Sequence, residues 1–206
     1  MSAAAATLVA APPLSVLGRA WFDRSAAEVA PELLGCRLVR DTPDGPIRGR
    51  IVEVEAYLGP EDRAAHSWHG LTPRTATLFG APGHLYVYLV YGLHHCLNVV
   101  CGPGSKPEAV LLRAAQIISG EDLARSRRGA VATHRLAAGP GNLGSAFGVD
   151  RRLDGSDLLD GPIRIEPGPR PARIVRGPRV GVAYAGAWAA RPLRFMIDDA
   201  PPRPRP

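Results

Sequence analysis

GRIVEVEAYL, Gly49 to Leu58, is the stretch whose reading decides how this chain folds. From Ile51 onward its residues suit the period of two that a β-strand imposes, with alternate side chains on one face. Ile51, Glu53, Glu55 and Tyr57 then point one way, and Val52, Val54, Ala56 and Leu58 the other. The second set is a core face. The first holds two carboxylates and ends in an aromatic, just before the Gly59-Pro60 break. Such a face is either ordinary exposed sheet or the floor of a cleft. In a cleft, a carboxylate beside an aromatic wall loses solvent and can serve as a general base.

Outward from this strand, expected over Arg48–Leu58, the punctuation is regular. Ser25 and Glu28 have capping-box spacing, which predicts a helix from Ala26 to Leu34 that Gly35 stops. Cys36 to Arg40 reads as a strand and DTPDGPI as a turn. GPEDRAAHSWHGLTPRTATLFGAPG is a long connection with one helical turn near Glu61 to Ala65; connections of that length inside a domain often carry function. HLYVYLVYGLHHCLNVVCG is two β-rich runs hinged at Gly92, a hairpin, and AVLLRAA is a further strand. Ser119 is the expected cap of a helix from Gly120 to Arg128, and Pro140 opens another that runs to Phe147. RIEP, RVGVAYA and PLRFMID read as short strands. The expected fold is α+β: one domain over 21–199, with a curved, mostly antiparallel sheet, a few flanking helices and a protruding β-hairpin. Residues 1–20 are read as a flexible extension and 200–206 as a disordered tail.

Composition supports a globular chain: of 206 residues, 46% are hydrophobic and 21% charged. No apolar run approaches the ~20 residues of a membrane helix. The opening MSAAAATLVAAPPLSVLG lacks the basic start of a secretory signal, which suggests a cytoplasmic protein associated with the nucleoid. Cys36, Cys96 and Cys101 show no paired metal spacing and read as small apolar residues. Charge is uneven. Residues 1–100 hold 8 basic and 9 acidic side chains, residues 101–206 hold 17 and 10, and every basic residue but Lys106 is arginine. An arginine-rich half suits phosphate recognition, because the guanidinium fork matches phosphate oxygens.

The residues able to do chemistry are few. Glu53 and Glu55 stand ~6.6 Å apart along a strand, a spacing that an inverting O-glycoside hydrolase would use. Tyr86 and Tyr88 share a face, and Tyr91 sits at the hairpin tip, where a ring can enter a base stack and fill the hole an extruded nucleotide leaves. Tyr57 and Tyr88 could sandwich such a base, or the hairpin tyrosines could be plain cross-strand packing. Histidines 66, 69, 84, 94, 95 and 134 show no metal-ligand pattern, so no metal or other cofactor is expected. Phosphate-binding and dinucleotide fingerprints are missing, and Lys106 lies in a Gly/Pro-rich loop unsuited to a Schiff-base nucleophile.

Taken in order, GRIVEVEAYLGPEDRAAHS, TPR, PGHLYVYLVYG, CLNVV, VLLRA, GPGNL and RVGVAYAGAWAARPLRF resemble the 3-methyladenine (alkyladenine) DNA glycosylase family, from about Phe22 to Ile197. The resemblance implies a monofunctional DNA N-glycosylase that flips and excises alkylated or deaminated purines from double-stranded DNA. Those purines are 3-methyladenine, 7-methylguanine, hypoxanthine and ethenoadenine. It implies a monomer without lyase activity. By position it makes Glu55 the carboxylate that activates water and Arg113 the arginine that helps hold that water. Tyr57, His66, Tyr88 and Asn98 become the base pocket, and Tyr91 the intercalating ring. His95 and Asn142 depart from the family pattern, at an aromatic and a basic position respectively. Two rivals remain: the O-glycoside hydrolase and a catalytically silent DNA-lesion binder.

Overall fold

In the computed structural model, which describes residues 17–198, the helices α1 (Arg19–Phe22) and α2 (Ala26–Leu33) lead into β1 (Arg37–Arg40) and β2 (Ile47–Tyr57). The hairpin strands β3 (Leu85–Val90) and β4 (His94–Cys101) follow, then β5 (Glu108–Ser119). Helices α3 (Glu121–Arg128) and α4 (Pro140–Ala146) precede three short strands, β6 (Ile163–Glu166), β7 (Ile174–Gly177) and β8 (Arg194–Ile197). The expected extension and tail fall outside the described residues except for 17–20, where Leu17 is buried and Arg19 begins α1.

Every strand pairing is antiparallel, and the sheet runs β3-β4-β5-β2-β1-β6 with β8 joining β2 to β7. The α+β fold with a curled antiparallel sheet is therefore as the sequence predicts. β2 is the hub. One edge pairs with β5 along its length; the other is shared, with β1 taking Ile47–Arg50 and β8 taking Glu53–Glu55. A sheet that forks along one strand must bend there, and the register against β5 slips on both sides of Glu53. This irregularity corrects the simple alternation: Ile51 joins Val52, Val54 and Ala56 in the core, and only Glu53, Glu55 and Tyr57 turn away from it.

The main core is built from residues such as Phe22, Leu33, Val54, Leu112, Phe147 and Phe195, with two smaller buried clusters beside it. α2 starts at Ser25, as the spacing predicts, but Glu28 does not close a capping box. Glu108 of β5 does that work, accepting from Ser25 Oγ at 3.0 Å and Ala26 N at 2.7 Å. α4 lies directly on the backbone of β4: a Cβ at Gly144 would meet the His95 carbonyl oxygen at 2.0 Å. Asn142 donates to Ala138 O at 2.7 Å, which serves this helix rather than an outside ligand.

Three local expectations fail. RVGVAYA is not a strand; Ala183–Trp188 winds as a 3₁₀ turn, with Gly181 and Gly186 at positive φ breaking any extended run. The long connection holds 3₁₀ turns at His66–His69 and Ala76–Phe79, whereas Glu61 to Ala65, where one helical turn is expected, forms hydrogen-bonded turns without helix. Ser119 ends β5 and does not cap α3, whose N-cap is Gly120 at φ 77°.

Candidate active site

A cavity of about 360 Å³ opens where the hairpin, the ends of β2 and β5, and the loop after Gly177 converge. That volume lies in the range of small-ligand sites. Tyr57, His66, Tyr88, Tyr91, Asn98 and Arg113 all line it. The structure thus gathers six of the seven residues singled out from sequence around one space, though they span 57 to 113 in the chain. The seventh, Glu55, has no exposed surface and stands just behind the wall, bonded to residues that form it.

Three donors converge on the Glu55 carboxylate. Oε2 accepts from the Tyr57 hydroxyl at 2.9 Å. Oε1 accepts from the Val180 backbone N–H at 2.8 Å and lies 3.3 Å from Arg113 Nη1. Burial and the adjacent carboxylate push the Tyr57 hydroxyl well above its ordinary pKa, so it stays a donor. Glu53 is buried as well, but it accepts from Arg113 Nε at 3.0 Å and lies 3.2 Å from Arg194 Nε. Arg113 therefore bridges the two acids, and no substrate space lies between them.

The Val180 N–H reaches Glu55 because Arg179 clamps its loop to the end of β2. Arg179 and Asp62 are both completely buried and form a two-point ion pair, with Nη2 2.9 Å from Asp62 Oδ1 and Nη1 bonded to Oδ2. Nη1 also donates to Ala56 O at 2.9 Å, and the guanidinium lies 4.6 Å from the Tyr57 ring centroid. Asp62 in turn accepts from Leu58 N and Ala64 N, so one carboxylate shapes the turn after β2. Sequence reading missed this pair because its members lie 117 residues apart, in loops that carry no periodicity.

The opposite wall is aromatic. Tyr86 and Tyr88 stack at 5.5 Å with a 25° interplanar angle, and His66 meets Tyr88 edge-on at 4.4 Å. Burial, with help from Arg74, holds the His66 imidazole near pKa 4, so it is neutral at physiological pH. Asn98 donates to Tyr86 O at 3.3 Å. At the rim, Tyr91 is 91% exposed with Leu93 at 78%. Tyr91 and Gly92 both have positive φ, 52° and 69°, the pattern of a type I′ turn closed by Leu93 N to Val90 O. A tyrosine in that region is strained, and such strain concentrates at functional sites.

Lys106 is held by Glu61 at 3.0 Å and Glu108 at 3.1 Å, and those partners raise its pKa. Cys36, Cys96 and Cys101 are buried and unbridged. Among the described residues no three side chains form a metal-binding group, and no helix is long and apolar enough to cross a membrane.

Residues 20–201 match the model of the family described as methylpurine-DNA glycosylase. A protein of Streptomyces avermitilis named "Putative 3-methyladenine DNA glycosylase" is 49% identical over 94% of this chain and 93% of its own. One from Methanocella arvoryzae with the same name is 46% identical over 91% of this chain and 95% of its own. One from Cutibacterium acnes, named alike, is 49% identical over 85% and 93%. These matches place the chain among the DNA glycosylases, DNA-repair hydrolases that act on N-glycosyl bonds. Within that class the chain belongs to the methylpurine-DNA glycosylase family.

Proposed function

We propose that the cavity takes a purine extruded from double-stranded DNA and that Glu55 directs water at its glycosidic carbon. The observation that supports this most is the convergence of Tyr57, Val180 N–H and Arg113 on one buried carboxylate directly behind an aromatic cavity. Two donors occupy Oε1. Among the described residues Oε2 accepts only from Tyr57, which leaves it a lone pair for a water. Since Glu55 has no exposed surface, water and sugar reach it by a small displacement of Tyr57 or the Val180 loop as the nucleotide enters. Arg113 holds the acid and screens it from Glu53.

The tyrosine walls suit the substrate chemistry. Alkylation at N3 or N7 makes the purine cationic, and a cation is attracted to the face of an aromatic ring. The same charge weakens the bond to the sugar, so a carboxylate and its water suffice for 3-methyladenine and 7-methylguanine. Hypoxanthine and ethenoadenine are neutral and need hydrogen bonding to the leaving base, for which His66 is the nearest candidate. Asn98 crowds the exocyclic amine of normal guanine. Tyr91, exposed and apolar, enters the stack the extruded base leaves.

The enzyme acts as a monomer and without lyase activity, since Lys106 is ion-paired and protonated rather than a free amine. The O-glycoside hydrolase reading loses its basis, because Arg113 lies between the two acids that reading needs. A duplex oligonucleotide carrying one hypoxanthine or ethenoadenine, and methylated DNA carrying 3-methyladenine, test the proposal. Strand breaks only after hot alkali are the expected result. Breaks before alkali would refute the monofunctional reading, and no abasic product from any of the three would refute the enzyme.

A further inference from the structure

Tyr86 is the largest fully buried side chain among the described residues, yet it lines the cavity. Its oxygen lies 3.1 Å from His66 Nδ1, and this is the hydroxyl's one hydrogen bond with geometry inside normal limits among those residues. A buried phenol has a proton that must find an acceptor. The charged group acting on it most strongly is the Arg74 guanidinium, which lies 5.6 Å from the Tyr88 centroid and pulls the Tyr86 pKa down against burial; Asp154 and Arg151 act more weakly and in opposite directions. A guanidinium has donors only. It cannot receive the proton, and its charge draws the phenol oxygen toward itself and turns the hydrogen away, toward Nδ1. The imidazole is neutral, so it has one N–H and one acceptor nitrogen.

We propose that Tyr86 and Arg74 are positioning residues that lock His66 as the Nε2–H tautomer, so that the cavity presents a fixed N–H donor. His66 lines the cavity, and its Nε2 has no hydrogen-bond partner among the described residues. A purine that turns an acceptor toward it, such as a 6-oxo group, gains a hydrogen bond; one that turns an amino group toward it meets donor against donor. The lock discriminates between 6-oxo and 6-amino purines without touching either. This assignment of specificity rests on the purine-pocket reading above; the tautomer itself does not.

Nitrogen-15 NMR of His66 in the full-length, DNA-free protein at neutral pH reads the tautomer directly. The expected spectrum has a pyrrole-type Nε2 and a pyridine-type, hydrogen-bonded Nδ1. In Tyr86→Phe the two shifts move toward the tautomer-averaged position, and kcat/KM for a hypoxanthine duplex falls about tenfold while that for 3-methyladenine changes less. Arg74→Gln, at an exposed residue, keeps the fold intact and moves the shifts the same way by a smaller amount. A pyrrole-type Nδ1 in the wild type overturns the proposal. So do His66 shifts that neither variant moves, and so does an equal loss on both lesions. Because the spectra need no substrate, failure of the glycosylase reading would leave them standing and is told apart from failure of the lock.

Discussion

Glu55 lies behind the cavity wall and Tyr91 at its rim, and their surroundings differ in almost every physical respect. Glu55 has no exposed surface and three donors, held by Arg113, by Tyr57 and by a loop that arrives from far along the chain. Tyr91 is 91% exposed, makes no side-chain hydrogen bond among the described residues, and sits in a backbone conformation that disfavours it. Buried polar networks are stiff because any misplacement leaves a charge unpaired, whereas an exposed strained tip gains its partner only on binding. The difference separates two tasks. Under the proposed function, the floor would be preorganised for bond cleavage and the tip left unsatisfied until it meets the duplex.

Four changes probe that division, beginning with the strongest. Glu55→Gln keeps the shape of the floor and removes the base. Binding to a lesion duplex should persist while single-turnover excision falls by about 10²–10⁴; residual excision within tenfold of wild type would show that the floor does not do the chemistry. Asp62→Ala leaves Arg179 buried and uncompensated. It should cost about 3–5 kcal/mol in urea unfolding and reduce excision as Val180 loses its place. An unchanged midpoint would mean the clamp is dispensable.

The third change is in pH. An unfolded histidine takes up a proton near 6.5 and the folded His66 only near 4, so between those values the unfolded chain binds more protons. Stability should therefore fall as pH drops through that window, by up to roughly 3 kcal/mol from this group. The fall should be smaller in His66→Gln, and equal slopes would mean the aromatic wall is as open as the tip. The smallest effect is at the rim. Tyr91→Asn relieves the positive-φ strain, since asparagine tolerates that region, and should stabilise the fold by about 1 kcal/mol. The same variant should bind a paired lesion roughly tenfold more weakly, with less change for an unpaired one. Loss of stability together with binding would make the tip a structural element.

The parts of this molecule that local pattern controls were legible in advance. Alternation placed β2, the paired runs around Gly92 placed the hairpin, and Pro140 opened α4, because strand period and turn chemistry act over a few residues. The family resemblance named the six cavity residues and Glu55. What it left out is long-range. β7 is only four residues of mostly exposed chain and owes its strand to pairing with β8. RVGVAYA has the apolar spacing of a strand, but Gly181 and Gly186 let it fold into the turn that presents Val180. Arg179 and Asp62 find each other across 117 residues, and no window of sequence contains both. Glu108 caps a helix 82 residues earlier, where a nearer acid had the right spacing.

The Asp62–Arg179 clamp also sets a clock on the enzyme's birth at the ribosome. When the first 150 or so residues have emerged, the acid, its tyrosines and the hairpin are already made. The backbone donor at Val180 and the β8 strand that flanks Glu53–Glu55 have not yet been synthesised. A nascent or truncated chain ending before Arg179 thus lacks the donor at Val180 and the part of the cavity wall formed by Val180, Gly181, Val182 and Tyr184, so under the proposed function the site is completed only by the last thirty or so residues.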